Sequence, residues 1–312
     1  MRPVILTGSA NVPLAEAVAR RLAVTLMPRT LERFPDGEAH VEVQRSVGGD
    51  DVYLIQPTGP PADGNLLELL LLADACRRDG ARRLTAVVPY LGYARQDRRT
   101  RGREAIGARL IADMLHVGRF ERMVAVDLHS PSLEGFFEMP VEPLTAVPLL
   151  AEALRPFAGE QSVIVAPDLG AAKLADRYGR LLGCPVAVVH KTRLTGTEVS
   201  VQGVTGDVRG RRTLVVDDMI STGATIEAAV RALGAAGAAP GSTVAATHGL
   251  FCGSALERLA AAGVEQLIVT DSLPVRPRSS LPIQVVPIDG LLASVIDRLH
   301  ADRSAMDLLA SS

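Results

Sequence analysis

The segment TLVVDDMISTGAT, residues 213–225, brings two adjacent carboxylates, Asp217 and Asp218, to the end of an apolar run and follows them with Ser221, Thr222, Gly223, Ala224 and Thr225. Two like charges are unfavourable at the end of a buried strand unless something polar meets them. In an open parallel sheet, ligands bind outside the carboxyl ends of the strands, which is where this pair would stand. STGAT then reads as a helix start, whose backbone N–H groups suit an anion, with Gly223 permitting close approach. Ser221, Thr222 and Thr225 would add hydroxyl donors to a phosphate while the carboxylates accept from sugar hydroxyls. That combination describes a phosphorylated pentose. An ordinary capped helix start accounts for the Ser and Thr, but it does not require Asp-Asp.

Five other stretches carry residues able to do chemistry. GYARQDRRTRGRE, residues 92–104, packs Arg95, Arg98, Arg99, Arg101 and Arg103 close together beside Gln96; it is either a solvated charged loop or a grip for a polyphosphate. VDLHS, residues 126–130, sets Asp127 and His129 just past an apolar run, where the imidazole is either structural or a metal ligand. APDLG, residues 166–170, ends another run on Asp168. A Mg²⁺ ion typically takes one or two carboxylates together with substrate phosphates, and a histidine is an uncommon partner for so hard an ion. VVHKTRLTG, residues 188–196, carries Lys191 and Arg193 from a strand into a loop, where two cations would close over a transferring phosphoryl group or simply face solvent. Of the 33 basic residues only Lys173 and Lys191 are lysine, which favours a role for the compact ammonium. RFPDGEAHVEV, residues 33–43, reads as a PDG turn before an alternating strand.

These stretches need elements to position them, and the chain supplies an alternation of short apolar runs with longer amphipathic segments. Strands are predicted at Val4–Leu6, Val52–Gln56, Leu84–Pro89, Met123–Asp127, Val163–Ala166, Val186–His190, Leu214–Asp217, Val244–His248 and Leu267–Thr270. Helices are predicted at Leu14–Leu22, Leu66–Arg78, Ile106–Leu115, Lys173–Leu182, Thr225–Leu233 and Ala255–Ala262. The alternation implies α/β architecture with mostly parallel sheets flanked by helices. The helix at 66–78 is apolar nearly all round and is expected to lie buried between layers, ending at Arg77, Arg78 and Gly80. Each half has a strand ending in Pro and a later one ending in Asp, so two related domains are expected, 1–145 and 146–312, with the Pro-rich stretch 138–148 as the linker.

Composition narrows the field. At 312 residues with 47% apolar and 22% charged residues, the chain has room for about two ordinary domains with substantial cores. A formal charge of −2 gives no sign of a nucleic-acid or polyanion binder. The run NLLELLLLADAC is broken by Glu68 and Asp74, so no membrane span is expected. The N-terminus has no signal h-region or cleavage site, and Cys76, Cys184 and Cys252 lack disulfide or metal spacing and read as reduced core residues, so a cytoplasmic location is expected.

Taken in order, FPDGE (34–38), PYLGYARQDRR (89–99), VDLHS (126–130) with GFF (135–137), PDLG (167–170), KTR (191–193), GDVRGR (206–211), VVDDMISTGAT (215–225), ATHGLF (246–251) and VVPIDGLLA (285–293) resemble ribose-phosphate diphosphokinase over nearly the whole chain. The resemblance implies two tandem type I phosphoribosyltransferase-like domains, the second carrying the ribose 5-phosphate loop. It also implies the conversion of ATP and ribose 5-phosphate, with Mg²⁺, into 5-phosphoribosyl 1-diphosphate and AMP. By position, Asp36, Gly37 and Glu38 would face the adenine, and Arg95 and Gln96 would also bind ATP. His129 and Asp168 would sit at the metal, Lys191 and Arg193 would be the catalytic cations, and Asp217, Asp218 and Ser221, Thr222, Gly223, Ala224 and Thr225 would hold ribose 5-phosphate with Arg193. The first of these segments reaches the nucleotide across a subunit boundary in the family, which implies a dimer-based homo-oligomer, a hexamer.

The chain departs from the common bacterial pattern at Ser221, at GAT in place of AGT, and at Thr192, where another basic residue is usual; STGAT is similar to salvage phosphoribosyltransferases and to divergent family members. Two rival readings follow. A phosphoribosyltransferase would explain 213–225 but leave FPDGE, RQDRR and KTR without a task, and a non-catalytic regulatory homologue would be favoured by a lost Lys191 or a broken STGAT, both of which are intact.

Overall fold

The computed structural model describes residues 2–100, 102–193, 199–275 and 281–305, with the side chains of 191–193 and 199–202 outside that description. The chain forms two compact units. The first takes the residues up to Thr145, Ser272–Pro274 and the segment from Pro287 onward; the second takes Ala146–Asp271 and Val275–Val286. A single cut after residue 145 therefore departs from the observed division, because the C-terminal segment rejoins the first unit.

The first unit contains β1 (Val4–Thr7), α1 (Val12–Arg21), β2 (Arg29–Arg33), β3 (Ala39–Val43), β4 (Asp51–Ile55), α2 (Ala62–Arg78), β5 (Arg83–Val88), α3 (Gly107–Val117), β6 (Arg122–Val126) and β7 (Val141–Leu144). β1, β4, β5, β6 and β7 form one parallel sheet in the order β1-β4-β5-β6-β7. Every residue of β4 is buried, which is why it reads as a continuous apolar run rather than an alternating one. β2 and β3 stand apart as a two-stranded antiparallel hairpin. α1 starts where Asn11 accepts a hydrogen bond from the Leu14 N–H, and α2 ends as expected, with Arg77 and Arg78 in its last turn and Gly80 at φ +86°.

α2 differs from its expected all-round burial. Leu66, Leu69, Leu72, Ala73 and Cys76 face the core, whereas Leu67 is 47% exposed. The helix therefore has one core face, and the excess leucines spread around it do not mark a second layer.

The second unit contains α4 (Val147–Leu154), β8 (Ser162–Ala166), α5 (Ala172–Leu182), β9 (Val186–Arg193), β10 (Val199–Thr205), β11 (Arg212–Ile220), α6 (Ala224–Ala235), β12 (Ser242–Gly249), α7 (Ala255–Ala261), β13 (Val264–Thr270) and β14 (Ile283–Val286). Its sheet runs β10-β9-β8-β11-β12-β13-β14 and is parallel except for the β9–β10 hairpin. The last helix, α8 (Asp289–His300), belongs to the first unit, where Asp289 pairs with Arg21 of α1 and His300 Nδ1 lies 2.8 Å from Asp51 Oδ2.

All nine predicted strands and six predicted helices are present with shifted ends. The stretch expected as a linker, 138–148, instead holds β7 and the start of α4. Pro143 and Pro148 concealed both: a proline within a strand is confined to positions that donate no ladder bond, and one in the first helical turn is tolerated. Cys76 and Cys184 are buried as expected, and burial pushes the Cys76 thiol up to about 12, but Cys252 is only half-buried. No described helix is long and apolar enough to cross a membrane.

The one-sided burial of α2 predicts a contrast between two substitutions. Leu72→Ala, at a position 0% exposed, is expected to cost about 2–5 kcal/mol. Arg78→Ala, which loses only an exposed pair with Asp74, should leave stability near that of wild type. Chemical denaturation of the two variants checks the difference.

Candidate active site

The carboxyl ends of β8 and β11 meet because these strands are parallel neighbours, paired from Arg212 with Ser162 to Val215 with Val165. Asp168 follows β8 and caps a short 3₁₀ turn, accepting from the Ala171 N–H at 3.2 Å. Asp217 and Asp218 lie within β11, which continues two residues beyond them to Ile220, so they are not the strand's last residues. The Asp218 N–H donates to Asp217 Oδ1 at 2.9 Å. Burial raises the Asp217 pKa well above the ordinary carboxylate value, and the neighbouring charges of Asp218 and Asp168 raise it further, against the lowering effect of the Asp218 N–H. The structure thus draws Asp168, Asp217 and Asp218 into one electrostatic group.

The loop after β11 is held from behind. Leu250 N–H and Phe251 N–H donate to the Ile220 carbonyl, and Cys252 N–H donates to the Ser221 carbonyl at 2.9 Å. Gly223 forms the N-cap of α6 in the left-handed region, at φ +76°. A Cβ there would lie 3.2 Å from Leu259 Cγ and 3.3 Å from the Ala255 carbonyl, so both conformation and space call for glycine. As a glycine, Gly223 has no side chain of its own with which to cap α6. The first N–H groups of α6, with the hydroxyls of Ser221, Thr222 and Thr225, lie at the helix start expected from the sequence, and groups of these types are able to receive an anion. Ala224 is the first helical residue, one before the predicted start.

Lys191 and Arg193 fall on β9, beside β8. The strand runs through both, and they pair with Val201 and Val199 of β10, so the backbone is a hairpin arm where the sequence suggested a loop. Their side chains lie outside the described residues.

In the first unit the corresponding loops follow β5 and β6, again parallel neighbours. Arg95 and Gln96 are exposed, in a loop in which Gln96 N–H donates to the Tyr93 carbonyl at 2.9 Å and the Gln96 carbonyl accepts from Ala108 N–H at 3.2 Å. The loop is closed by Thr100, whose N–H and hydroxyl both donate to Glu104 at 2.8 and 3.0 Å. Arg101 is outside the described residues. His129 is exposed just past β6. Asp127, two residues before it, adopts φ +40° while its N–H donates to the Leu144 carbonyl at 2.8 Å. A positive φ in a residue with a Cβ is strained, and the sequence carried no signal of it.

Asp36, Gly37 and Glu38 form the exposed tip of the β2–β3 hairpin. The turn closes through Phe34 N–H to Glu38 O at 2.9 Å, Gly37 N–H to Phe34 O at 2.8 Å and Glu38 N–H to Asp36 Oδ1 at 3.0 Å, with Gly37 at φ +94°. His129 belongs to the first unit and Asp168 to the second. Among the described residues no group of three or more His, Cys, Asp or Glu is arranged as a metal centre. The clustered carboxylates of the second unit nevertheless suit a hard cation that brings its own phosphate oxygens.

The raised pKa of Asp217 has a definite sign for stability. The folded state holds this proton more tightly than the unfolded chain, so the contribution is present below the unfolded carboxylate pKa and is lost as pH rises through the folded one. Asp217→Asn should therefore raise Tm at pH 8, by about 2–4 °C for each kcal/mol of repulsion relieved, and the gain should shrink as pH is lowered. Thermal melts of both proteins across pH 4–8 check it.

Residues 3–118 match the family model described as the N-terminal domain of ribose phosphate pyrophosphokinase, and residues 148–249 match the phosphoribosyl transferase domain model. A ribose-phosphate pyrophosphokinase of Rhodopirellula baltica is 42% identical over 308 residues, covering 97% of each chain. One of Corynebacterium efficiens is 42% identical over 308 residues, covering 97% of this chain and 94% of the relative. The crystal structure of phosphoribosylpyrophosphate synthetase from Mycobacterium smegmatis matches with a TM-score of 0.90 at 38% identity, over 97% of this chain and all of the other. With two domain models in order and full-length likeness at this identity, the chain belongs to the ribose-phosphate pyrophosphokinase family.

Proposed function

We propose that the chain transfers the β,γ-diphosphoryl group of ATP to the 1-hydroxyl of ribose 5-phosphate, giving 5-phosphoribosyl 1-diphosphate and AMP. The observation that carries this reading is that Asp217 and Asp218 are followed by a helix start with a glycine N-cap, in a loop of three hydroxyl residues. A carboxylate pair accepts from two vicinal hydroxyls, and the N–H groups and hydroxyls of Ser221 to Thr225 receive the 5-phosphate, so the sugar is held at both ends. The anomeric hydroxyl is left to attack the β-phosphorus. Its oxygen forms the new bond, the bond from the α–β bridging oxygen to the β-phosphorus breaks, and AMP departs. Phosphoryl-type transfer of this kind needs alignment and charge neutralisation more than covalent assistance.

Lys191 and Arg193 fit the neutralising role by their place on β9, next to the strand that delivers Asp168. In the first unit, Asp36, Gly37 and Glu38 of the hairpin tip would contact the adenine, with Arg95 and Gln96 on the nucleotide. His129 and Asp168 would hold Mg²⁺, which when bound would offset charge on the polyphosphate. We further assign a dimer-based homo-oligomer, a hexamer, in which the hairpin serves a neighbouring subunit's nucleotide, and a cytoplasmic location.

The test is AMP release from ATP, Mg²⁺ and ribose 5-phosphate by the purified protein. AMP should form only with the sugar phosphate present. Lys191→Ala should lower kcat by roughly 10²–10³ while leaving both KM values within about threefold, because its charge is used mainly in the transition state. AMP formed without the sugar, or none formed while the protein remains assembled, would overturn the assignment.

A further inference from the structure

The hairpin β2–β3 makes no ladder bond to the five-stranded sheet. Two strands alone are marginal in water, so other contacts must hold this arm in place. On one face Val41 and Val43 pack against the core. At the base, Arg29 donates from Nε to the Thr7 carbonyl at 2.6 Å and from Nη2 to the Gly8 carbonyl at 3.0 Å. At the tip, Arg33 donates from Nη1 to the Gly37 carbonyl at 3.0 Å, and its Nη2 lies 3.9 Å from Glu68 Oε1.

Glu68 is the carboxylate that interrupts the apolar run of α2, and it is 8% exposed. It is fixed by neutral donors: Ser9 N–H at 2.9 Å, Ser9 Oγ at 2.9 and 2.7 Å, and Gln56 Nε2 at 3.1 Å. Gln56 is itself locked, accepting from Ala10 N–H at 3.2 Å and donating to the Asn65 carbonyl at 3.3 Å. Burial lowers the Arg29 pKa and the Glu68 charge opposes that, so the guanidinium at the hairpin's base also feels this carboxylate. Space has been left for the guanidinium at the tip: a Cβ on Gly64 would lie 3.2 Å from Arg33 Nη2.

We infer that Arg33 and Glu68 act as a positioning pair for ATP, in which the immobile carboxylate on α2 orients the Arg33 guanidinium and that guanidinium holds the turn carbonyl of Gly37. Neither residue needs to touch the nucleotide. Their effect is to order the Asp36–Glu38 turn before ATP arrives, so that less ordering is required on binding. The planar fork of arginine suits this bridge, since one nitrogen serves each end; a lysine ammonium has a single charged centre to offer. This rests on the adenine-facing role proposed for the hairpin tip.

Steady-state kinetics of Arg33→Ala, Glu68→Gln, the double variant, Arg33→Lys and Asp36→Ala, each with a thermal melt, test the pair. Arg33 has 52% of its side chain exposed, so its replacement should leave folding intact. Arg33→Ala should raise KM for ATP about tenfold, with kcat, KM for ribose 5-phosphate and Tm near wild type, and Arg33→Lys should recover only part of the loss. Glu68→Gln should raise KM for ATP in the same direction, and the double variant should be no worse than Arg33→Ala alone, as expected for residues acting through one another. Independent, multiplying effects would mean that Arg33 contacts ATP directly and would overturn the pairing. So would an unchanged KM for ATP in Arg33→Ala when Asp36→Ala raises it. If Asp36→Ala also leaves that KM unchanged, the adenine-facing role itself fails and takes the inference with it. Equal losses in both KM values together with a lowered Tm would reduce the pair to a structural brace, which also overturns it.

Discussion

The burial of Asp217 beside the charges of Asp218 and Asp168 is the constraint on which the second unit's candidate site depends. Two adjacent parallel strands deliver these groups to the carboxyl end of the sheet, where burial and proximity hold the Asp217 proton in place. A protein whose net stability is only about 5–15 kcal/mol can retain such a cluster only if the surrounding core is secure. That core is present: Val163, Val165, Val215, Val244, Leu267 and Val269, from four adjacent strands, are all fully buried. Hydroxyl donors or a cation, as proposed for this site, would offset the cost of the cluster and so couple ligand binding to folding through the same three carboxylates.

The two units treat their loops differently. In the second, the backbone of the loop after β11 is fixed from behind by main-chain hydrogen bonds from Leu250, Phe251 and Cys252. In the first, the exposed residues stand on loops and on a hairpin braced mainly by side chains: Arg29, Arg33, Glu68, Ser9 and Gln56. Asp127 adds local backbone strain just before His129, paired with a main-chain bond to Leu144 that keeps the left-handed conformation in place.

How much of this was legible in the sequence follows from how each feature is encoded. The strands and helices that build the sheets were readable because their burial sets a local pattern, apolar runs of strand length between amphipathic helices. STGAT and its preceding aspartates were readable because helix-start chemistry is contiguous. β2, β7, β10, β14, α4 and α8 were not. Prolines at 143 and 148 imitate a linker, and Gly290 just inside α8 weakens its helical signal. The bracing of the hairpin was invisible because it depends on residues far apart in the chain, with Glu68 visible only as a break in an apolar run. Lys191 and Arg193 illustrate a third case: their types pointed to chemistry, but the end of the strand carrying them was placed too early because polar residues on a hairpin arm look like a loop.

The return of the last helix to the first unit sets an order of assembly. Asp51 on β4 meets His300 across 249 residues of sequence, and Arg83 bridges Asp51 to Asp302. During synthesis the first unit has all its strands early but lacks α8 until the second unit has emerged, since every element of the second unit precedes that helix. The half begun first is therefore finished last. Until then its buried Asp51 is without His300, Arg83 is without Asp302, and the face of α1 that carries Arg21 is uncovered. The contacts that complete the amino-terminal half thus come from a helix that follows every element of the second unit in the chain.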